Sequence, residues 1–253
     1  MQGSFYQRDR DRFVPSELTR GPWDPQAQHA GPPAALLGRA VERCEPREDM
    51  QLGRITLEIL APVPLAPLQA NARVVRPGRS VELLGASLSG PDGEVMRASA
   101  WRLQAGDVAL QSDSAPPGPE QGVSRDFFDT GQDAGYHVAM EYRFVEGAFL
   151  ERGPATVWMR MRVPLVEGEE PSPLERVLVA ADSGNGVSAT LDYERYLFVN
   201  TDLSVHLLRM PDGEWVCLDA TTHVDGLGLS DTALWDERGR IGRAAQTLLV
   251  RRR

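Results

Sequence analysis

The chain has 253 residues, 42% apolar and 25% charged, enough to bury a sizeable core as one large domain or two smaller ones. A formal net charge of −9 excludes general affinity for nucleic acid or an anionic membrane surface, because such affinity comes mainly from clustered cations. There is no lysine, so every cation is arginine, a compositional bias rather than a functional signal.

Gly31 is placed to cap a first helix, with Pro32 at its first position, where a missing N–H costs nothing. Ala34, Ala35, Leu36, Leu37, Ala40 and Val41 make that helix nearly all apolar, of the kind buried against a sheet. Residues 54–60 alternate, with Ile55, Leu57 and Ile59 on one face, which predicts a half-buried strand. Two more strands follow at 68–75 and 81–88, and the turn Pro91-Asp92-Gly93 leads into a fourth through Leu103. A helix followed by an antiparallel meander is an α+β pattern. From 105 to 135 the chain turns to Gly, Pro, Ser, Asp and Gln and holds no ladder or helix for long.

The second part repeats this plan. Residues 153–164 alternate Val157, Met159, Met161 and Val163 against Trp158, Arg160 and Arg162, a strand. Ser172-Pro173-Leu174-Glu175 joins an N-cap serine, a proline at the first helical position and a glutamate two residues on, a capping box. Strands are expected at 198–208, 215–223 and 240–251, with Asp212-Gly213 as a tight turn. Residues 239–249 are a rewritten copy of 93–103, matching at Gly93/Gly239, Arg97/Arg243, Ala98/Ala244 and Leu103/Leu249. The repeat divides the chain into an N-terminal domain (1–105), a linker (106–135) and a C-terminal domain (136–253). Ala100 faces Gln246 in this alignment, so one half keeps a polar group that the other lacks.

Three residues stand out as candidates for chemistry. Leu174, Val177, Leu178 and Ala181 form a core-facing stripe on the capped helix, and Asp182 extends it by one position. A carboxylate there is either solvated at the helix end or held by hydrogen bonds for a purpose. Gln246 shares a strand face with Ala244, Leu248 and Val250, which turns its amide inward, where backbone groups could equally satisfy it. Asn200 opens an alternating run in which a polar face turned to water also accounts for Asp202, Ser204 and His206.

The layout around Ala180-Ala181-Asp182, Asn200 and Gln246 with Val250-Arg251 resembles the acyl-CoA thioesterase II family, the double-hotdog thioesterases. The resemblance implies two fused hotdog domains, each a central helix wrapped by an antiparallel sheet. It further implies hydrolysis of acyl-CoA or another acyl thioester by water attack, with no cofactor, and a homodimer of double-hotdog chains. In that reading Asp182 accepts a proton from the water, Gln246 orients it, and Asn200 stands where the family carries Thr or Ser. The acyl chain is expected in an apolar groove between the halves, shaped in part by Trp23-Asp24 and the segment Gln28-His29-Ala30-Gly31. That missing hydroxyl keeps a second reading open, a non-catalytic acyl-CoA or lipid-binding protein on the same fold. A hotdog hydratase that recruits His29 or His206 is a third.

Other motifs carry less. Gly184-Asn185-Gly186-Val187-Ser188-Ala189 fits a dinucleotide fingerprint, but a capping box precedes it where a strand is needed. There is no nucleophile elbow or phosphate-binding loop, and the four histidines, His29, His137, His206 and His223, are scattered singly, so no metal site is expected. His29 reads as a turn residue. Cys44 and Cys217 suit neither a disulfide framework nor zinc and read as free thiols of a reducing compartment. No stretch approaches the ~18 apolar residues of a membrane span and the first residues hold no signal-like apolar run, so the expectation is a cytoplasmic protein without a membrane partner.

Overall fold

A computed structural model describes residues 3–108, 115–127 and 130–253. Its two main helices are α1 (Gly31–Arg43) and, later, α3 (Pro173–Ala181). They pack antiparallel: a Cβ on Gly31 would meet the Val179 carbonyl, and one on Gly38 would meet Leu178 and Leu174. The N-cap of α1 is Ala30 rather than Gly31, and Gly31 is the first helical residue. A Cβ there would lie 2.5 Å from the Val179 oxygen, so glycine is required by close approach to α3 rather than by capping. The capping box of α3 is complete, with Ser172 Oγ accepting from Glu175 N and Glu175 Oε2 accepting from Ser172 N, both at 3.1 Å.

Around the helices runs one antiparallel sheet. Its N-terminal strands are β3 (Met50–Ile59), β4 (Gln69–Arg76), β5 (Val81–Gly90) and β6 (Gly93–Gln104), ordered β4-β5-β6-β3. Its C-terminal strands are β7 (Met140–Glu146), β8 (Ala155–Met161), β9 (Tyr196–Asn200), β10 (Asp202–Leu207), β11 (Val216–Asp225), β12 (Leu227–Asp236) and β13 (Gly239–Arg252). They continue as β10-β13-β12-β11-β8-β7, with β9 also on β13. The halves meet where β3 pairs with β10, Thr56 opposite Ser204, whose Oγ donates to Thr56 Oγ1 at 3.1 Å. This is the expected double hotdog, with the apolar faces of both helices and of the curled sheet merged in one core.

The repeat is visible in the register. Hairpins β5–β6 and β12–β13 have the same turn length, pairing Gly90 with Gly93 and Asp236 with Gly239, and the two closing glycines share φ near 125° and 129°. Four strands lie outside the sequence reading. Two form the N-terminal hairpin, β1 (Tyr6–Asp9) with β2 (Arg12–Pro15), whose Phe5 and Tyr6 amides donate to Pro164 and Leu165 carbonyls. The others are β7 and β12. The expected single strand over 198–208 is broken at Thr201 into β9 and β10. Short helices α2 (Tyr136–Ala139) and α4 (Gly184–Val187) and a 3-10 turn (Glu17–Thr19) complete the elements, α4 following Asp182 where the sequence suggested only an end.

Candidate active site

Asp182 caps the C-terminus of α3 and is 4% exposed, so its carboxyl depends on protein partners. Gln246, from β13 and 1% exposed, donates through Nε2 to Asp182 Oδ1 (3.2 Å) and to the Asp182 carbonyl (3.1 Å). Its Oε1 accepts from Asn185 N at 3.1 Å. Both sides of the amide thus bond to the protein, Gln246 holds Asp182 in place, and one lone pair of Oε1 is left over.

Asn200 ends β9 just before the break, and Nδ2 donates to Asp182 Oδ1 at 2.8 Å. The break turns it inward. Thr201 N donates to Thr247 O, while the return bond from Thr247 N goes to the Asp202 carboxylate at 3.0 Å instead of a backbone carbonyl. Asn200 therefore does not belong to a solvated polar face, whereas His206 does stand exposed on β10. The three residues singled out in the sequence thus converge on one carboxyl group.

His29 joins them from the loop before α1, with Nδ1 3.1 Å from Asp182 Oδ2. Its ring lies flat on Tyr136 of α2, centroids 3.7 Å apart and planes within 9°. Tyr136 Oη in turn donates to the Val179 carbonyl at 2.7 Å. The Gly31 amide donates to His29 Nδ1 at 3.1 Å, and the Ala30 and Gly31 amides favour the ionised form of the Asp182 carboxyl. The sequence placed His29 in a segment shaping the groove and read it as a turn residue, without its contact to Asp182.

Burial dominates the electrostatics. It lifts the Asp182 carboxyl to about 7, against the pull of the Asn200, Gln246, Gly31 and Ala30 donors toward the ionised form. It pushes His29 down to about 3, so the histidine is neutral and the pair is a hydrogen bond rather than an ion pair. Beneath Gln246, Ser230 and Thr232 of β12 turn inward, and a Cβ on Gly184 would meet Thr232 Oγ1 at 2.6 Å and Gln246 Oε1 at 3.1 Å.

The carboxyl opens onto a groove of about 550 Å³ whose walls come from both halves, including Ile59 and Val63 on one side and Leu197 and Val199 on the other. Trp23 and Asp24 line it, as expected for that segment. A second cavity of about 680 Å³ beside Trp23 and Tyr193 carries Arg152 and Arg253 together with Glu151, Asp192 and Glu194, and Arg152 pairs with Asp192. Among the described residues no group of three or more His, Cys, Asp or Glu is arranged to hold a metal ion, and no helix is long and apolar enough to cross a membrane.

No curated protein matches the sequence. Among solved structures, the acyl-CoA thioesterase II TesB2 of Mycobacterium marinum superposes with a TM-score of 0.67 at 15% identity, covering 98% of this chain and 94% of that one. A hot dog fold protein of Alicyclobacillus acidocaldarius gives 0.72 at 16% identity over 97% and 94% of the two chains. The tesB protein of Mycobacterium avium subs paratuberculosis gives 0.65 at 16% over 95% and 92%. At such identities these likenesses establish the fold. The sequence itself goes further: residues 19–103 match the acyl-CoA thioesterase N-terminal domain and residues 113–250 the acyl-CoA thioesterase C-terminal domain. Matched by both domains of one family in their order along the chain, this protein belongs to the acyl-CoA thioesterases and is a thioester hydrolase.

Proposed function

We propose that the hydrolysis takes place at Asp182, Asn200 and Gln246, with an acyl-CoA lying in the groove between the halves. The observation that carries this is the convergence of Asn200 and Gln246 on one oxygen of a buried carboxyl group that opens into that groove. A thiolate leaves readily, so the chemistry needs a water deprotonated beside the carbonyl carbon and no covalent nucleophile. Asp182 supplies the basicity, and the two amides fix its orientation. Asn200 donates to the carboxyl as a hydroxyl would, which disfavours the reading of a non-catalytic acyl-CoA-binding protein.

The apolar walls suit the acyl chain. The division into domains 1–105 and 136–253 with a linker over 106–135 is part of the same proposal. So are a cytoplasmic location and a homodimer. Val81 and Leu103, opposite each other on β5 and β6, and Leu208, just beyond β10, are 36%, 36% and 70% exposed, apolar surface suited to self-association.

The test is release of free thiol from acyl-CoAs of different length, with Asp182→Asn alongside. The expected loss in the variant is about 10²–10⁴-fold in kcat, with the fold kept. Full activity in Asp182→Asn removes the site; consumption of enoyl-CoA without thiol release replaces hydrolysis by hydration.

A further inference from the structure

His29 presents a hydrogen-bond donor at the groove. The Gly31 amide donates to Nδ1 at 3.1 Å, so Nδ1 bears no hydrogen and the neutral imidazole carries it on Nε2. Asp182 Oδ2, on the same edge of the ring, is 3.1 Å from Nδ1 and supplies the hydrogen of that contact in its protonated form. Tyr136 covers one ring face. The Nε2–H has no partner among the described residues and is not one of their fully buried unpaired atoms, so it reaches open space. The space that His29 borders is the groove and a small aromatic chamber adjoining it.

A second unpaired polar group stands at the same place. Asn185 of α4 is 6% exposed, and its side-chain amide has no hydrogen bond among the described residues, nor is either of its polar atoms fully buried and unpaired. It lines both the groove and the chamber, a space of about 40 Å³ walled by Phe127, Tyr142 and Phe149. Besides His29 and Asn185, only Pro22 and Trp23 line both, so the two side chains stand where the cavities join. Both are held firmly. The Asn185 N–H donates to Gln246 Oε1, while Ser188 Oγ donates to the Gly184 carbonyl at 2.8 Å and Tyr193 Oη to the Gly186 carbonyl at 2.6 Å. The His29 N–H donates to the Thr19 carbonyl at 2.8 Å, and its ring rests 3.7 Å from that of Tyr136.

We propose that His29 Nε2–H and the Asn185 side-chain amide form the oxyanion site of this thioesterase, receiving the carbonyl oxygen of the acyl thioester as it becomes negative. The inference rests on the hydrolase reading and deepens it, with Asp182 kept as the base. Water oxygen bonds to the carbonyl carbon as its proton passes to Asp182, and the π electron pair moves onto the carbonyl oxygen between the two donors. In the collapse the C=O bond re-forms, the C–S bond breaks with its electron pair on sulfur, and the proton on Asp182 passes to the thiolate. Fixed donors in a confined site stabilise such a charge without reorganising, and a neutral imidazole polarises a carbonyl without giving up its proton. Burial keeps His29 in that neutral form. The ring thus serves both partners, with Nδ1 turned to the carboxyl and Nε2–H to the carbonyl.

His29→Phe keeps a flat ring on Tyr136 and removes the donor, whereas His29→Gln returns an amide N–H near the place of Nε2. For an acyl-CoA that the wild type hydrolyses, His29→Phe is expected to lower kcat about 10²–10³-fold with KM within about threefold, and His29→Gln to recover at least about tenfold of that loss. Asn185→Ala is expected to lower kcat by at least about tenfold. Either His29→Phe or Asn185→Ala with kcat within about threefold of wild type overturns the paired site. The wild type alone supplies a second test. NMR of its imidazole should show the Nε2–H tautomer, and that hydrogen should move downfield when a ketone analogue of acyl-CoA, with CH2 in place of sulfur, is bound. An Nδ1–H tautomer, or an Nε2–H resonance unmoved by saturating analogue, overturns the proposal. A wild type that releases no thiol from any acyl-CoA defeats the hydrolase reading instead, and the resonance still decides whether a carbonyl is received at His29.

Discussion

Asp182 and His29 act on the stability of the fold in opposite senses. Burial raises the carboxyl from 3.8 to about 7 and lowers the imidazole from 6.5 to about 3. Between 3.8 and 6.5 the folded pair holds one proton on the acid and the unfolded pair one on the base, so folding neither binds nor releases a proton there. Single variants expose the two halves of this balance. In His29→Asn only the raised carboxyl remains: its contribution is full below 3.8 and lost as pH rises through about 7. In Asp182→Asn only the depressed imidazole remains: its contribution is full above 6.5 and lost as pH falls toward about 3. Urea unfolding at a series of pH values, each variant referred to wild type, should give slopes of opposite sign, at most about 1.4 kcal/mol per pH unit. Parallel curves would show that the two groups are not buried as a pair. Asp182 and Gln246 were legible in the sequence because each breaks an apolar face. His29 was not, because a loop has no periodicity to break and only the packing of α1 on α3 brings it to the carboxyl.

At the scale of elements, the helix ends position the site. Ser172 starts α3 through the capping box, and its hydroxyl donates to Glu42 Oε2 of α1 at 2.6 Å, so one residue both begins a helix and ties it to the other. Ser172→Ala should cost about 1–2 kcal/mol, read as a lowered Tm. Gly31→Ala should destabilise by a similar or larger amount, because the new methyl meets the Val179 carbonyl, and should reduce kcat by moving the Ala30 and Gly31 amides from Asp182. A Gly31→Ala protein with unchanged Tm and kcat would remove that contact from the account. The capping box was readable from four adjacent residues. Strand β12 was not, because its pattern is inverted: Leu227 and Leu229 are exposed while Ser230 and Thr232 are buried. Polar side chains face inward there because they lie beneath Gly184 and beside Gln246, so hydrophobic alternation points the wrong way at the strand that floors the site.

For the whole molecule the same contrast extends across the repeat. In the first half Leu84 and Ala86 face Ala100 and Ala98; at the matching places in the second half Ser230 and Thr232 face Gln246 and Ala244. One half of the sheet is apolar where the other is polar. Where Gln246 reaches the carbonyl at the end of α3, Arg102 donates to the Cys44 carbonyl at the end of α1 and pairs with buried Glu82. Calorimetric titration with a non-hydrolysable acyl-CoA analogue should therefore give one site per chain, and two equivalent sites would contradict the asymmetry. The repeat was legible from eleven residues, but the β3–β10 seam was not, since it pairs strands distant in sequence whose outer faces carry no distinguishing pattern.

That seam has a consequence for how such a protein can change. In an assembly of two identical hotdog chains, every substitution appears twice, and an alteration that improves the wall of a groove alters the catalytic strand as well. Here positions 100 and 246 lie on one continuous sheet yet are written separately. Apart from the loop at His29 to Gly31, the first half can be reshaped for a different acyl group at the level of Ile59 to Val63, while Asp182, Asn200 and Gln246 stay as they are.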